Sequence, residues 1–202
     1  MIDNKQPIMD LLEFDSPLSF YRIIILKRRK DFPKNHVDAP KKNSENLKIF
    51  TVNSLDFFGE QYEQVKDLCE RNMARACVYV NPFNYREVAV DMINMLTEQL
   101  RGNYQIKNLD TIFAKTSPKK KDRKKWILDV DGNQDLEKLY FAIGNAKPTG
   151  SKTLSKLPTP NGVHIITKKF DKRVLSEFKW CENKKGDSPT LLYYPDSLEF
   201  IS

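Results

Sequence analysis

One stretch sets two carboxylates two residues apart at the end of an apolar run: "KKWILDVDG", Lys124 to Gly132. Residues i and i+2 of an extended strand point to the same face, so Asp129 and Asp131 are aimed at one place. Two like charges placed this way repel. The arrangement is tolerated where a cation binds, where a proton is shared, or where water screens a strand end.

The second chemistry-bearing stretch is "LPTPNGVHIIT", which places His164, one of two histidines, just after a Thr-Pro-Asn-Gly turn at the start of a strand. A structural histidine is one reading of that position. The other takes in the surrounding residues: Lys152 and Lys156 before it, Lys168 and Lys169 after it, and Gly162, which lets a backbone approach a ligand closely. Together these suit a triphosphate cradle. Between Lys115 and Lys125 the chain reads "KTSPKKKDRKK", a surplus of six positive charges that leads directly into the paired aspartates. Such a run attracts phosphate-bearing partners when it is not merely a solvated loop.

The elements that must position these residues read as an α/β order. Strands are expected at Phe20 to Leu26, in "LKIFTV", in "RACVYVNP", in "WILDVD", in "VHIITKKF" and in "TLLYYP". Helices are expected in "EQYEQVKDLCERNM", in "NYREVAVDMINMLTEQLRG" and in "DLEKLYFAIG". In the second helix Val88, Met92, Leu96 and Leu100 form an i, i+4 stripe, Asn84 with Glu87 resembles a capping box, and Gly102 stands where a C-cap glycine belongs. Residues 31–46 read as a polar loop or linker, 115–125 as a basic loop, and "NAKPTGSKTLSKLPTPNG" as a long functional loop.

With 202 residues, 40% of them hydrophobic and 30% charged, the chain suits one globular domain spanning 1–202. No apolar run reaches the roughly 20 residues of a membrane span, and the N-terminus lacks the order of a signal peptide, so a cytoplasmic location is expected. Cys69, Cys77 and Cys181 are too widely spaced for a zinc knuckle and are expected as reduced, buried thiols.

Two rival readings of the aspartate pair are weighed against spacing. An EF-hand loop counted from Asp129 would need glycine and glutamate where Gln134 and Tyr140 stand, which excludes it. "WILDVDG" also resembles the first motif of haloacid-dehalogenase type phosphatases, although that motif normally lies near the start of a long parallel sheet.

The order "WILDVD" then "NGVHIIT" resembles the archaeo-eukaryotic primase superfamily, which includes small primase-polymerases of phages and plasmids. "RACVYVNPFN" upstream is similar to a strand these proteins often carry before the first motif, and the resemblance runs over a core of about residues 45–195. It implies an α+β fold: a mixed β-sheet with an RRM-like catalytic half, flanked by helices. It implies a metal-dependent nucleotidyltransferase, with Asp129, Asp131 and His164 catalytic and Mg2+ or Mn2+ held by Asp129, Asp131 and a third acid. That acid is Glu182, which fits the pattern best, or Asp187 or Asp196.

By the same resemblance Thr159, Asn161, His164 and Lys168 would contact an incoming nucleoside triphosphate. Lys119, Lys120, Lys121, Arg123, Lys124 and Lys125, with the cluster Lys27 to Lys30, would grip the backbone of single-stranded or primed DNA or RNA. The setting would be replication of a phage or mobile element in its host's cytoplasm, with a replicative helicase as a candidate partner and no membrane. The alternatives are a nucleic-acid-binding protein that keeps the fold without catalysis, and the phosphatase.

Overall fold

A computed structural model of the chain describes residues 1–103, 109–116, 124–132, 134–184 and 188–199. In chain order it contains β1 (Ile2–Asp3), α1 (Lys5–Met9), β2 (Ser19–Arg28), β3 (Ser44–Val52), α2 (Leu55–Asn72), β4 (Arg75–Val78), β5 (Phe83–Asn84), α3 (Tyr85–Asn103) and α4 (Leu109–Lys115). There follow β6 (Lys125–Asp131), α5 (Leu136–Asn145), β7 (Thr153–Thr159), β8 (Gly162–Lys168), β9 (Cys181–Asn183), β10 (Thr190–Tyr194) and α6 (Asp196–Glu199). The class is α+β. Every described strand pairing is antiparallel, so two antiparallel sheets stand in place of the mixed sheet expected from the sequence.

The first sheet runs β1-β10-β4-β2-β3, with β5 also paired to β2; the second runs β7-β8-β6-β9. Strand β2 is buried from Phe20 to Leu26, Arg22 included, because both of its faces are covered. Tyr21, Ile23 and Ile25 pack with α2, while Ile24 and Leu26 join a separate cluster with Cys77, Leu191 and Tyr194. Helix α2 starts where the Ser54 hydroxyl accepts from the Phe57 amide at 3.1 Å, and it buries Phe58, Tyr62, Val65 and Cys69 along one stripe. At α3 the Asn84 side chain caps the amides of Arg86 and Glu87 at 3.0 and 3.3 Å. The helix then continues through Gly102 to Asn103, so Gly102 is not its C-cap, and Leu100 at the end of the expected stripe is exposed.

Two stretches read as loops hold structure. Residues 153–159, inside the expected long loop, form β7, whose Pro158 is tolerated because β7 is the edge of its sheet. In the expected polar linker Asp31 is buried, and it accepts from the Arg75 guanidinium in a two-pronged ion pair, Nε to Oδ2 at 2.7 Å. This pair ties the segment after β2 to the start of β4.

The two sheets share one core. Ile127, Leu157 and Ile166 of the second sheet lie in the same buried cluster as Ile8, Tyr21, Ile23, Phe58 and Leu192. Asn81 completes the join: its side chain donates to the Lys125 carbonyl at 2.8 Å and accepts from the Lys125 amide at 2.9 Å, as a strand partner would. Arg22, fully buried, donates to the carbonyls of Phe113 and Thr116 and to the Thr116 hydroxyl. Burial lowers its pKa to about 10, and its charge lies over the Phe83 and Phe113 rings. Among the described residues no helix is long and apolar enough to cross a membrane.

The Asp31–Arg75 pair makes a stability prediction. Asp31→Ala leaves a buried guanidinium unpaired and is expected to cost about 3–5 kcal/mol, measured by urea unfolding; a change below about 1 kcal/mol would show that the pair is idle.

Candidate active site on the second sheet

The site follows from strand pairing. β6 runs antiparallel to β8 on one side and to β9 on the other, with Asp129 in register with His164 and with Glu182. His164 is in turn paired with Leu157 of β7. Directly paired residues share a face, so Leu157, His164, Asp129 and Glu182 form one row across the sheet. One step along β6, Asp131 pairs with Gly162, which pairs with Thr159. The opposite face of β6, with Leu128 and Val130, packs with Leu139 and Ile143 of α5. The alternation of β6 therefore divides its apolar anchor from its carboxylates.

Asp129 sits between an imidazole and an ammonium group. The His164 Nε2 lies 3.2 Å from its Oδ1 and the Lys184 ammonium 3.2 Å from its Oδ2. The same ammonium lies 2.7 Å from the Glu182 Oε2. The hydrogen bond from His164 holds the Asp129 carboxyl down at about 2, with Lys184 adding to the effect and burial opposing it. The Lys184 ammonium is shifted upward, first by Glu182 and then by Asp129. On its other side the His164 Nδ1 is 2.7 Å from the Thr190 hydroxyl. A carboxylate only accepts, so in this arrangement Nε2 carries a proton, and a neutral ring takes the Thr190 proton at Nδ1. Thr190 belongs to β10 of the first sheet, so the imidazole is held from both sheets.

Thr159 and Asn161 line a cavity of about 350 Å3 whose remaining wall includes Lys30, Asp31 and Arg75. The cation that faces this turn is thus Lys30, whose charge also senses Asp131. Lys168 is four residues beyond His164, at the far end of β8 and paired with Lys125, which places it about 13 Å along the strand from the row. Lys152 is buried and its ammonium is spent on the carbonyls of Ile143, Gly144 and Gly150, closing the end of α5. Gly162 permits a close approach to β6 rather than to a ligand. A Cβ built on it would stand 2.0 Å from the Val130 carbonyl oxygen.

The basic set divides. Lys119, Lys120, Lys121 and Arg123 lie outside the described residues, as does Asp187. Lys124 is exposed and 3.4 Å from Asp15. Lys125 is buried, with its ammonium 3.3 Å from Glu13, and so is removed from the nucleic-acid set: it opens β6 and faces the core side of the fold. Asp196 is paired with the N-terminal ammonium at the start of α6, away from the row. Lys184 and Thr190 were missed in the sequence. The i+2 spacing from Glu182 to Lys184 carries the signal for the first; Thr190 has none, because only the return of β10 to the first sheet brings it to His164.

Among the described residues no three His, Cys, Asp or Glu side chains converge as a metal-holding group. The antiparallel surroundings of β6, with His164 beside Asp129, remove the dehalogenase-type reading, which needs a mostly parallel sheet with the aspartate at a strand's carboxyl end. Comparison with known proteins finds no matching family model, no matching curated protein and no matching solved structure.

Two tests follow from this geometry. Gly162→Ala must push β8 off β6 and is expected to cost about 1–3 kcal/mol of stability, as other overpacked substitutions do, seen as a lower urea midpoint. A folded-state pKa below the unfolded one stabilises at neutral pH and ceases to as pH falls. Wild type should therefore exceed Asp129→Asn in stability most at neutral pH, with the gap closing from about pH 4 toward about 2. A gap that does not change with pH would show that the charge on Asp129 is not what is stabilised.

Proposed function

We propose that the chain is a metal-dependent nucleotidyltransferase that acts on nucleic acid. Its particular form is a small primase-polymerase, extending or starting strands on a single-stranded or primed template in the replication of a phage or mobile element. The observation that carries the reading is the row itself: the D-x-D strand is paired in register with the strand of His164 and with the strand of Glu182. Two stretches that resemble one family's signature, and one of the three acids that could supply its third position, thus fall on one sheet face.

As they stand, the described side chains form no metal-holding group, so the reading rests on the hard oxygen donors of the row rather than on a formed site. Asp129 is held ionised, Glu182 stands beside it, Asp131 shares its face, and the Lys184 ammonium already marks the space between the first two as one that accepts a positive charge. Asp129, Asp131 and Glu182 would hold Mg2+ or Mn2+, which would neutralise a triphosphate and favour ionisation of an attacking 3′-hydroxyl. The rest is done by the chain's own groups. Thr190 and Asp129 fix the imidazole plane of His164, so that its position beside the carboxylates is set before substrate arrives. Thr159, Asn161 and Lys30 present donors and positive charge to phosphate oxygens at the mouth of the cavity.

A second reading, binding without catalysis, is favoured by one contact. Lys184 satisfies both carboxylates without any ion, as expected of a site that keeps its charge balance after losing chemistry.

Incorporation of nucleotide with Mg2+ or Mn2+ on primed and unprimed single strands separates the two. Activity that falls to background in Asp129→Ala, Asp131→Ala and Glu182→Ala, with melting curves intact, supports the transferase. Lys184→Met should then tighten Mn2+ binding by roughly 10-fold in a calorimetric titration, because a unit charge a few ångströms away contributes about 1 kcal/mol or more near a surface. Neither incorporation nor Mn2+ binding in wild type or Lys184→Met would leave the binding-only reading.

A further inference from the structure

The segment that follows β2 holds a set of charges of which the site above uses only Lys30. Arg28 ends the strand, a single 3-10 turn covers residues 29–31, and the chain then runs on through Lys34. Two anchors fix this turn. Asp31 is buried against Arg75, and Phe32 is buried in the cluster of Ile24, Leu26 and Tyr194. Since the one acid of the turn is committed to Arg75, the neighbouring cations are left to the surface. The far rim is tied back by the Arg29 amide, which donates to the Asn43 carbonyl at 3.0 Å, and by its guanidinium, which donates to the Pro40 carbonyl at 3.1 Å.

The result is a cavity of about 700 Å3 lined by Arg28, Arg29, Lys30 and Lys34 together with Asn35 and Asn43. Among the described residues no carboxylate lines it, and none lies in ion-pair distance of Arg28, Lys30 or Lys34. Like charges held together in this way repel, and burial, Arg28 and Arg75 together lower the Lys30 pKa. An anion relieves that repulsion. Lys30 also lines the smaller cavity of Thr159 and Asn161, so the two spaces meet at one side chain.

We propose that this cavity binds successive phosphates of a nucleic-acid strand and leads that strand through Lys30 toward the Asp131 end of the site. The choice of ligand rests on the reading of nucleic acid as partner, and on two features of the cavity. Separate unpaired cations match repeating phosphates better than they match a single carboxylate. The aromatic ring of the lining, Phe32, is buried and offers no platform for a base, so contact is to the backbone and blind to sequence.

The test measures binding of a fluorescent oligothymidylate by anisotropy over a range of salt. The variants are the wild type, the triple variant Arg28→Gln/Lys30→Gln/Lys34→Gln, and a control, Lys138→Gln/Lys172→Gln/Lys179→Gln, which removes as much charge from exposed positions elsewhere. Each lost phosphate contact lowers the log–log salt slope by about 0.7 on a single strand, so the first variant should lose about 2 from the slope and at least about 10-fold in affinity at low salt. The control should keep the wild-type slope. Equal losses in both variants would reduce the effect to net charge and overturn the proposal. So would strand binding that survives while tripolyphosphate binding is lost, since the cavity would then serve a free polyphosphate. Strand binding that needs the three cations, in a protein that incorporates no nucleotide, would uphold this cavity and sink the transferase reading.

Discussion

The site depends on the antiparallel pairing of β6 with both of its neighbours. A strand of seven residues has little to offer alone, but pairing fixes which side chains stand opposite one another to within one residue. A one-residue slip of β8 would turn His164 to the α5 side and bring an apolar side chain to Asp129. The slip is opposed on both faces. Val163 and Ile165 are buried with α5, and Ile166 is buried in the core shared with the first sheet. Gly162 adds a positional constraint, because only a residue without a Cβ lets the hairpin close against the Val130 carbonyl.

The electrostatics of the row follow from that placement. Asp129 is less than a quarter exposed, and a carboxylate in that position needs compensation. It receives it from His164 and Lys184, and the second of these is shared with Glu182. The charge of Asp129 is therefore met by an imidazole N–H and an ammonium of the chain itself. The same logic recurs at the other end of the molecule's charge pattern. Asp31 neutralises Arg75 in the interior, which leaves Arg28, Lys30 and Lys34 unneutralised outside it.

The join between the sheets turns these local arrangements into one site. Thr190 of β10 holds His164, Asn81 clasps the opening residue of β6, and Arg75 and Lys30 close the cavity over the β7–β8 turn. Each is a contact between segments separated by at least 26 residues, so none has a signature in local spacing. Lys125 shows the converse. By sequence it belongs with a basic run, yet as the first residue of β6 it is drawn inward, and its charge is met by Glu13.

The sequence by itself determined the elements whose pattern is strong: the strand expected at Phe20 to Leu26, the amphipathic helices α2 and α3, and the strand that carries Asp129 and Asp131 on one face. It also singled out His164, at the start of an expected strand, but left Glu182 as one of three acids, because the stretch around it does not read as a strand. It concealed β7, because proline, serine and lysine read as loop wherever a strand is an edge that need not supply every hydrogen bond. Only the tertiary structure decided that β6 lies between β8 and β9, that both sheets are antiparallel, and that Lys184 and Thr190 complete the row. Strand order and cross-strand register are set by burial of whole faces against distant partners, and that information is not carried by any one segment of the chain.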